Sequence, residues 1–187
     1  MSATERGDAR ARLLDATLEL IGEHGLGGVT NRAVAARAGV SPGSLSYHFP
    51  SQTELLREAL LGFVGQEAER LEGLAAGPAL GLDDVGAAVQ QVVEGADRRA
   101  VLAQTELYLQ ACRDPELQAV AARAYAAYDR AALTVLRALH VADPEPLVPA
   151  LIALVDGFEL RRLSLGDTGD ADLGRGLAAV VRATAAA

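Results

Sequence analysis

The sequence of 187 residues contains no lysine, no tryptophan and a single cysteine. Because Cys112 has no second cysteine to pair with inside the chain, we expect no internal disulfide, as is usual in the reducing cytoplasm. No apolar run approaches the ~18 residues that a membrane-spanning helix needs. The polar N-terminus from Met1 to Asp8 mixes both charge signs and does not resemble a signal peptide. We therefore expect a cytoplasmic protein.

The charge is unevenly distributed along the chain. Acidic residues outnumber basic ones by 25 to 17, and the formal net charge of −8 at first argues against a nucleic-acid partner. However, residues 1–53 contain five arginines and five acids, and no acid lies between His24 and Thr53. The negative excess belongs to residues 54–187, so a nucleic-acid partner stays compatible with the N-terminal part.

Apolar residues recur at helical spacing throughout, and no alternating strand pattern stands out. Gly25 is predicted to end the first helix. Thr30 is predicted as the N-cap of a short second helix that Gly39 closes, and Ser41-Pro42 opens a short third helix. These signals place three helices in the first 50 residues.

The rest of the chain shows the same helical pattern. Ser51 and Glu54 form a predicted capping box at the start of a longer helix. Five further helices follow. The second of these is predicted to present Val101, Thr105, Tyr108, Leu109 and Cys112 on one face. The fourth is predicted to start at Asp143-Pro144, and the last is capped by Asp170 or Asp172. We predict an all-α fold of about nine helices, with an N-terminal three-helix helix-turn-helix module and a C-terminal helical domain.

The segment from Thr30 to Phe49 has the pattern of a helix-turn-helix, with small Ala35 at the helix contact, Gly39 in the turn and apolar Val40 closing the corner. Over roughly residues 10–60 the chain resembles the TetR family of transcriptional regulators. The residues that carry this resemblance are Thr30, Val34, Ala35, Ala38, Gly39, Val40, Ser41, Gly43, Ser44, Leu45, Tyr47, His48, Phe49 and Ser51.

The resemblance implies a DNA-binding domain at residues 1–53, with the linking helix starting at about residue 51, and a ligand-sensing and dimerisation domain at 54–187. It implies that the second helix of the motif enters the major groove. Gln52 stands where members usually have a lysine. The residues implied to contact DNA are Thr30, Arg32, Ser41, Pro42, Gly43, Ser44, Ser46, Tyr47, His48 and Gln52.

Two sets of C-terminal residues have alternative interpretations. The first set is either a core with satisfied tyrosines or the wall of a ligand pocket: Phe63, Gln66, Gln104, Tyr108, Cys112, Tyr125 and Tyr128. The second set is either an intramolecular core or the interface of a two-fold dimer: Leu151, Leu154, Val155, Phe158, Leu173, Leu177, Val180 and Val181.

Enzymatic and metal-binding roles are weaker alternatives. Gly39-Val-Ser41-Pro-Gly43 matches the G-x-S-x-G elbow of serine hydrolases, but that motif needs a preceding strand, and the preceding residues are predicted to be helical. His24, His48 and His140 lack ligand spacing, so we expect neither a metal nor another cofactor.

We predict a ligand-responsive regulator, a repressor that binds a palindromic operator as a dimer and is released by a small molecule. A regulator without an effector is the alternative.

Overall fold

The computed structural model describes residues 3–75, 81–166 and 172–185. Within those ranges the regular structure is helical, which confirms the all-α class, and no helix there has the length and apolar content to span a membrane. Nine α-helices lie in the described residues: α1 Ala3–His24, α2 Asn31–Ala38, α3 Pro42–His48, α4 Gln52–Ala75, α5 Leu82–Gly95, α6 Arg98–Ala111, α7 Pro115–Ala138, α8 Val148–Leu165 and α9 Leu173–Ala185.

The predicted helix boundaries of the motif are present. Thr30 Oγ1 accepts a hydrogen bond from the Ala33 amide at 3.2 Å, and Ser41 Oγ accepts one from the Ser44 amide at 3.1 Å. Gly39 ends α2 with φ of 65°, in the left-handed region that favours glycine. The short turn between α2 and α3 is therefore fixed by Gly39 at the end of α2 and by the Ser41 cap at the start of α3.

Two boundaries differ from the prediction. Leu26–Gly28 forms a 3₁₀ turn, although the glycine pair Gly27-Gly28 predicts a loop. The eighth helix starts at Val148 rather than at Asp143, because Asp143 has a left-handed φ of 46° and Glu145–Leu147 forms a second 3₁₀ turn. At α9, Asp172 Oδ1 accepts from the Arg175 amide at 2.7 Å, whereas Asp170 lies outside the described residues.

The chain divides into two compact units. Unit 1 comprises Met1–Phe63 and Asp97–Ala124, and unit 2 comprises Val64–Ala96 and Tyr125–Ala187. These units do not follow the predicted order of residues 1–53 and 54–187, because α6 packs with the N-terminal helices. The boundary between the two functional domains stays a prediction.

In unit 1, α6 lies directly against α1. A Cβ added to Gly22 would lie 2.4 Å from the carbonyl oxygen of Arg99, so the two helix backbones touch there. The buried face of α6 is Ala100, Val101, Ala103, Gln104, Leu107 and Ala111. The predicted face was partly wrong, because Leu109 and Cys112 are exposed.

Unit 2 has its own apolar core between α5, α7, α8 and α9. Five of the eight residues predicted for a dimer interface are buried in this core within the single chain: Leu151, Phe158, Leu173, Leu177 and Val181. Leu154, Val155 and Val180 are partly buried and pack against it. The intramolecular alternative therefore accounts for most of the predicted interface residues, because α9 packs on both α8 and α5.

Candidate nucleic-acid interface and effector cavity

Helix α3 has one buried and one exposed face. Leu45 and Phe49 are 1% and 2% exposed, whereas Tyr47 is 71% exposed. The predicted contact residues Ser41, Pro42, Gly43 and Ser46 are also exposed, and Ser44 is partly buried. The outward face therefore carries small and hydroxyl-bearing side chains, which allow backbone groups to approach base edges and phosphates.

Contacts from α1 hold the motif in place. The Arg10 guanidinium lies 5.5 Å from the centre of the Phe49 ring, and Arg12 donates to the Ala38 carbonyl at 3.2 Å. The first contact is a cation–π interaction and the second satisfies a carbonyl at the end of α2. Both link α1 to the helices of the motif.

Two side chains predicted to contact phosphate are restricted by their surroundings inside the module. Gln52 Nε2 donates to the Val29 carbonyl at 2.7 Å, next to the Thr30 cap. His48 Nε2 is buried without a hydrogen-bond partner among the described residues, so a phosphate contact from this ring would use Nδ1. Gln52 therefore ties the start of α4 to the start of the motif, a role that the sequence did not indicate.

The arginines of unit 1 differ in whether their charge is already paired with a carboxylate. Arg37 donates to Glu19 at 2.9 Å and to Glu23 at 2.7 Å, and its hydrogen bond holds the pKa of Glu23 below its usual value. Arg99 also contacts Glu23, at 3.0 Å. Arg32 is exposed and belongs to none of the ion pairs found in the described part of unit 1. It is the cation of the motif that remains available for DNA.

The surroundings of Ser41 do not match a hydrolase elbow. Its hydroxyl caps α3, and the residues before it form helix α2 rather than a strand. In the described ranges, no group of three histidine, cysteine or acidic side chains is placed to hold a metal ion. The geometry of this segment therefore corresponds to a helix-turn-helix.

Unit 2 contains an apolar cavity of about 90 Å³. Five helices contribute to its wall, with Leu71 from α4, Val89 from α5, Val135 from α7, Val155 from α8 and Val181 from α9 among the lining residues. Tyr128 also lines it. Such a wall favours an apolar group by the ordinary hydrophobic effect.

The seven predicted pocket residues are not brought together. Gln104 and Tyr108 bond to each other at 3.0 Å in unit 1, and Cys112, also in unit 1, is exposed. Phe63 ends the first segment of unit 1, and Gln66 is exposed. Of the set, Tyr128 lines the cavity and Tyr125 lies one turn before it on α7.

Acidic residues of unit 2 were missed by the sequence analysis. The Tyr125 hydroxyl donates to Asp156 at 3.0 Å, and buried Glu67 pairs with Arg70. Burial raises the pKa of Glu159 to about 7; Arg162 opposes the rise, and Asp156 and Glu67 add to it. The signal in the sequence was the presence of two acids, Asp156 and Glu159, within the apolar helix α8.

Comparisons with known proteins agree with this geometry. The chain matches the family model for bacterial regulatory proteins of the tetR family over residues 13–59. It also matches the model for the tetracyclin repressor-like C-terminal domain over residues 80–187.

Individual relatives point the same way. The chain is 32% identical over 158 residues to the transcriptional regulator BetI of Rhizobium meliloti, covering 82% of this chain and 77% of BetI. It is 40% identical over 78 residues to the transcriptional repressor KstR of Rhodococcus jostii, covering 42% of this chain and 35% of KstR, so the match spans about a third of that repressor. The solved structure of the multidrug binding protein EbrR with ethidium has a TM-score of 0.69 and 29% identity, covering 94% of this chain and 97% of that one.

Proposed function

This chain belongs to the TetR family of DNA-binding transcriptional regulators, and from that premise we propose that it is a ligand-responsive repressor. In this proposal a homodimer binds a palindromic operator in the cytoplasm, and a small molecule releases it. The observation that supports the proposal most is the exposed face of α3, held by capped helices and by contacts from α1.

The proposed operator contacts are the exposed side chains of the helix-turn-helix. Tyr47 and Thr30 supply hydroxyls for phosphates, and Arg32 supplies a charge. The small residues from Ser41 to Ser46 would face the groove. Because the module has no lysine, few charges per subunit are available, and two modules acting together would matter for affinity.

We place the dimer contact on the outer side of α8 and α9. The side chains of Ala150 and Ala153 are exposed there, as is Gly157, and Leu160 is 55% exposed. A shallow groove between the two helices is lined by Ala153, Leu154 and Gly157 among others. Small residues allow a second copy of these helices to approach closely and form a four-helix bundle.

We assign the effector to the apolar cavity of unit 2. EbrR, whose fold is similar, is seen with ethidium, which supports a small-molecule site in a chain of this architecture. A molecule that binds one spacing of the two recognition helices more tightly than another would shift the dimer towards that spacing. Phe63 and Gln66 on α4 are our candidates for residues that transmit occupancy.

The proposed DNA binding is tested by selecting protein-bound duplexes from a pool of random DNA sequences. We expect enrichment of a palindrome whose half-sites lie one helical turn, or a multiple of it, apart. Enrichment of single half-sites would contradict the dimeric reading, and no enrichment would contradict sequence-specific binding.

The dimer part is tested by sedimentation velocity. We expect a dimer for the natural chain and a monomer for Ala153→Arg, since the arginine would fill the groove between α8 and α9. Ala122→Arg, on an exposed position of α7, is the matched control and should remain dimeric. A dimer that persists in Ala153→Arg would place the interface elsewhere.

A further inference from the structure

The cavity wall in unit 2 carries no charged side chain. Among the described residues that line it, there is no arginine, histidine or acid. Tyr128 is the one polar side chain in that set, and the others are glycine, alanine, valine, leucine and isoleucine. The acids of α8, Asp156 and Glu159, do not line the cavity. Because an ion would lose its hydration there without meeting a counter-charge, burying a charged group in this cavity is strongly unfavourable.

Water is also a poor occupant of this cavity. A buried water molecule normally makes about two to four hydrogen bonds, whereas apolar cavities stay dry and bind small apolar molecules. The described part of the wall offers one polar side chain, that of Tyr128, which is too few to hold water in place. An apolar molecule would therefore enter without displacing ordered water, and burial of its surface would favour binding.

The helices around the cavity cannot close the space by moving together. A Cβ added to Gly86 would lie 2.6 Å from the carbonyl oxygen of Gly174, so the backbones of α5 and α9 already touch. Gly86 lines the cavity, as do the fully buried alanines Ala131 and Ala178. Small residues at these positions leave the space open, and closer approach of α5 and α9 would make their backbones overlap.

We infer that this cavity binds an uncharged aliphatic group of about four carbons and excludes charged molecules. The inference rests on the proposed function only in naming the bound molecule an effector. A cavity of about 150 Å³ holds benzene, which has six carbons, so in proportion the 90 Å³ of this cavity hold about four. The group is either a whole small molecule or the end of a longer aliphatic chain, because both present the same carbons to the wall.

The size of the occupant is tested with the 1-alkanols from ethanol to 1-octanol. Binding to the full chain without DNA is followed by NMR, through the methyl groups of Val89, Val155 and Leu177 in the wall. Each buried methylene contributes about a fourfold gain in affinity. We expect the dissociation constant to fall about fourfold per carbon as far as 1-butanol and then to stop falling. A fourfold fall that continues to 1-octanol, or no shift of these methyl signals with any alcohol, would overturn the inference.

The longer alcohols also distinguish the two sources of the aliphatic group. A dissociation constant that stays level beyond 1-butanol indicates the end of a longer chain, whose further carbons remain in water. A dissociation constant that rises beyond 1-butanol indicates a whole small molecule, because a longer chain cannot enter. Both results support an aliphatic occupant of about four carbons.

The exclusion of charge is tested with n-butylammonium and pentanoate. Both ions carry the butyl chain of 1-butanol, so the comparison isolates the charged group. We expect each ion to bind at least tenfold more weakly than 1-butanol at neutral pH, because its charge would leave water without compensation. Binding of either ion as tight as that of 1-butanol would show that the cavity accepts charge.

An enlarging variant tests where the alcohols bind. Val135 lines the cavity from α7, and Val135→Ala removes two methyl groups from the wall. This variant should move the end of the fourfold steps from about 1-butanol to about 1-hexanol. Val120→Ala, at a buried valine of α7 that does not line the cavity, is the matched control and should leave the series unchanged. An unchanged series in Val135→Ala, or a shifted one in Val120→Ala, would place the alcohols elsewhere and refute the inference.

A filling variant tests whether the space exists. Ala178→Leu adds three carbons to the wall, so it should abolish binding of 1-butanol without lowering the thermal midpoint. Ala124 is equally buried and does not line the cavity, so Ala124→Leu should lower the midpoint by overpacking. The same fall of the midpoint in both variants, or 1-butanol binding that survives Ala178→Leu, would contradict the presence of this cavity.

The proposed function fails differently. If 1-butanol binds as expected but does not weaken binding of the enriched operator, the aliphatic site stands and the proposed release by its occupant does not. If no alcohol binds while the operator is still bound, the inference about the cavity is wrong and DNA binding is unaffected.

Discussion

The contact between α1 and α6 makes a sharp prediction for Gly22→Ala. The added Cβ would lie 2.4 Å from the Arg99 carbonyl oxygen and 2.9 Å from its carbonyl carbon. A carbon and an oxygen approach to about 3.3 Å, so the two backbones must separate by roughly 1 Å. No side chain can rotate away, because the opposing atoms are backbone.

The expected magnitude follows from two opposing effects. Alanine gains about 1 kcal/mol over glycine in a helix interior, while overpacking of a close contact costs about 1–3 kcal/mol. Because the opposing atoms are backbone, we expect the upper end of that cost and a net loss of about 2 kcal/mol, which for a chain of this size lowers the thermal midpoint by roughly 4–8 °C. Thermal unfolding followed by far-UV circular dichroism measures this shift.

Gly62→Ala is the matched control. Gly62 lies inside helix α4, and an added Cβ there would meet nothing within 4 Å. This variant should gain about 1 kcal/mol from helix propensity alone. If Gly22→Ala were as stable as Gly62→Ala, α6 would not lie on α1 as described, and the grouping of α6 with the DNA-binding helices would be refuted.

Three further predictions concern single side chains. Ser41→Ala removes the cap of α3 and should cost about 1 kcal/mol in urea unfolding, and an unchanged midpoint would show that the cap contributes nothing. Gln52→Lys should raise operator affinity and steepen the salt dependence by about one unit per phosphate contact; an unchanged slope would show that position 52 does not face phosphate. The pKa of Glu159 is about 7 in the folded chain against an ordinary 4.5, so the folded state holds this proton where the unfolded state has lost it. The contribution of protonated Glu159 to the free energy of unfolding is therefore fully present below about pH 4.5. It is lost as the pH rises through 7, by at most about 3 kcal/mol. Glu159→Gln should match the natural chain in stability near pH 4 and exceed it near pH 8, and equal stability at both pH values would contradict the burial of this carboxyl.

The helix-turn-helix was predictable because its signals are local. Thr30, Gly39 and Ser41 act on the backbone within three residues, through caps and a left-handed glycine. No distant contact is needed for these effects. The family resemblance depended on the same short segment, so class and motif could both be identified from the sequence.

The packing of α6 could not be predicted in the same way. The larger apolar residues Leu109 and Cys112 suggested the wrong face, whereas the buried face of α6 carries small residues such as Ala100 and Ala103, and the α6 backbone at Arg99 touches Gly22. Close approach of two backbones is a property of the pair of helices. Neither helix shows by itself which partner it has.

The core of unit 2 shows a second limit of prediction from the sequence. An apolar stripe such as Leu151 to Phe158 is equally suitable for a core and for an interface, because burial by the same chain and by a second copy removes the same area from water. The acids Asp156 and Glu159 were overlooked for the opposite reason: charged residues are usually exposed. Their position became informative once the fold brought Glu67, from a distant part of the chain, near enough to add to the rise in the pKa of Glu159.

The central claim is that the exposed face of the α2–α3 motif binds DNA, and the most direct measurement is the affinity for the enriched duplex at low salt. We expect Tyr47→Ala and Arg32→Ala each to weaken binding about tenfold or more, since single contacts in such interfaces contribute about 1–3 kcal/mol. Leu109→Ala, at a side chain of α6 that is also exposed, should bind like the natural chain. No mobility shift of duplex DNA at low salt, or the same loss in all three variants, would contradict the account.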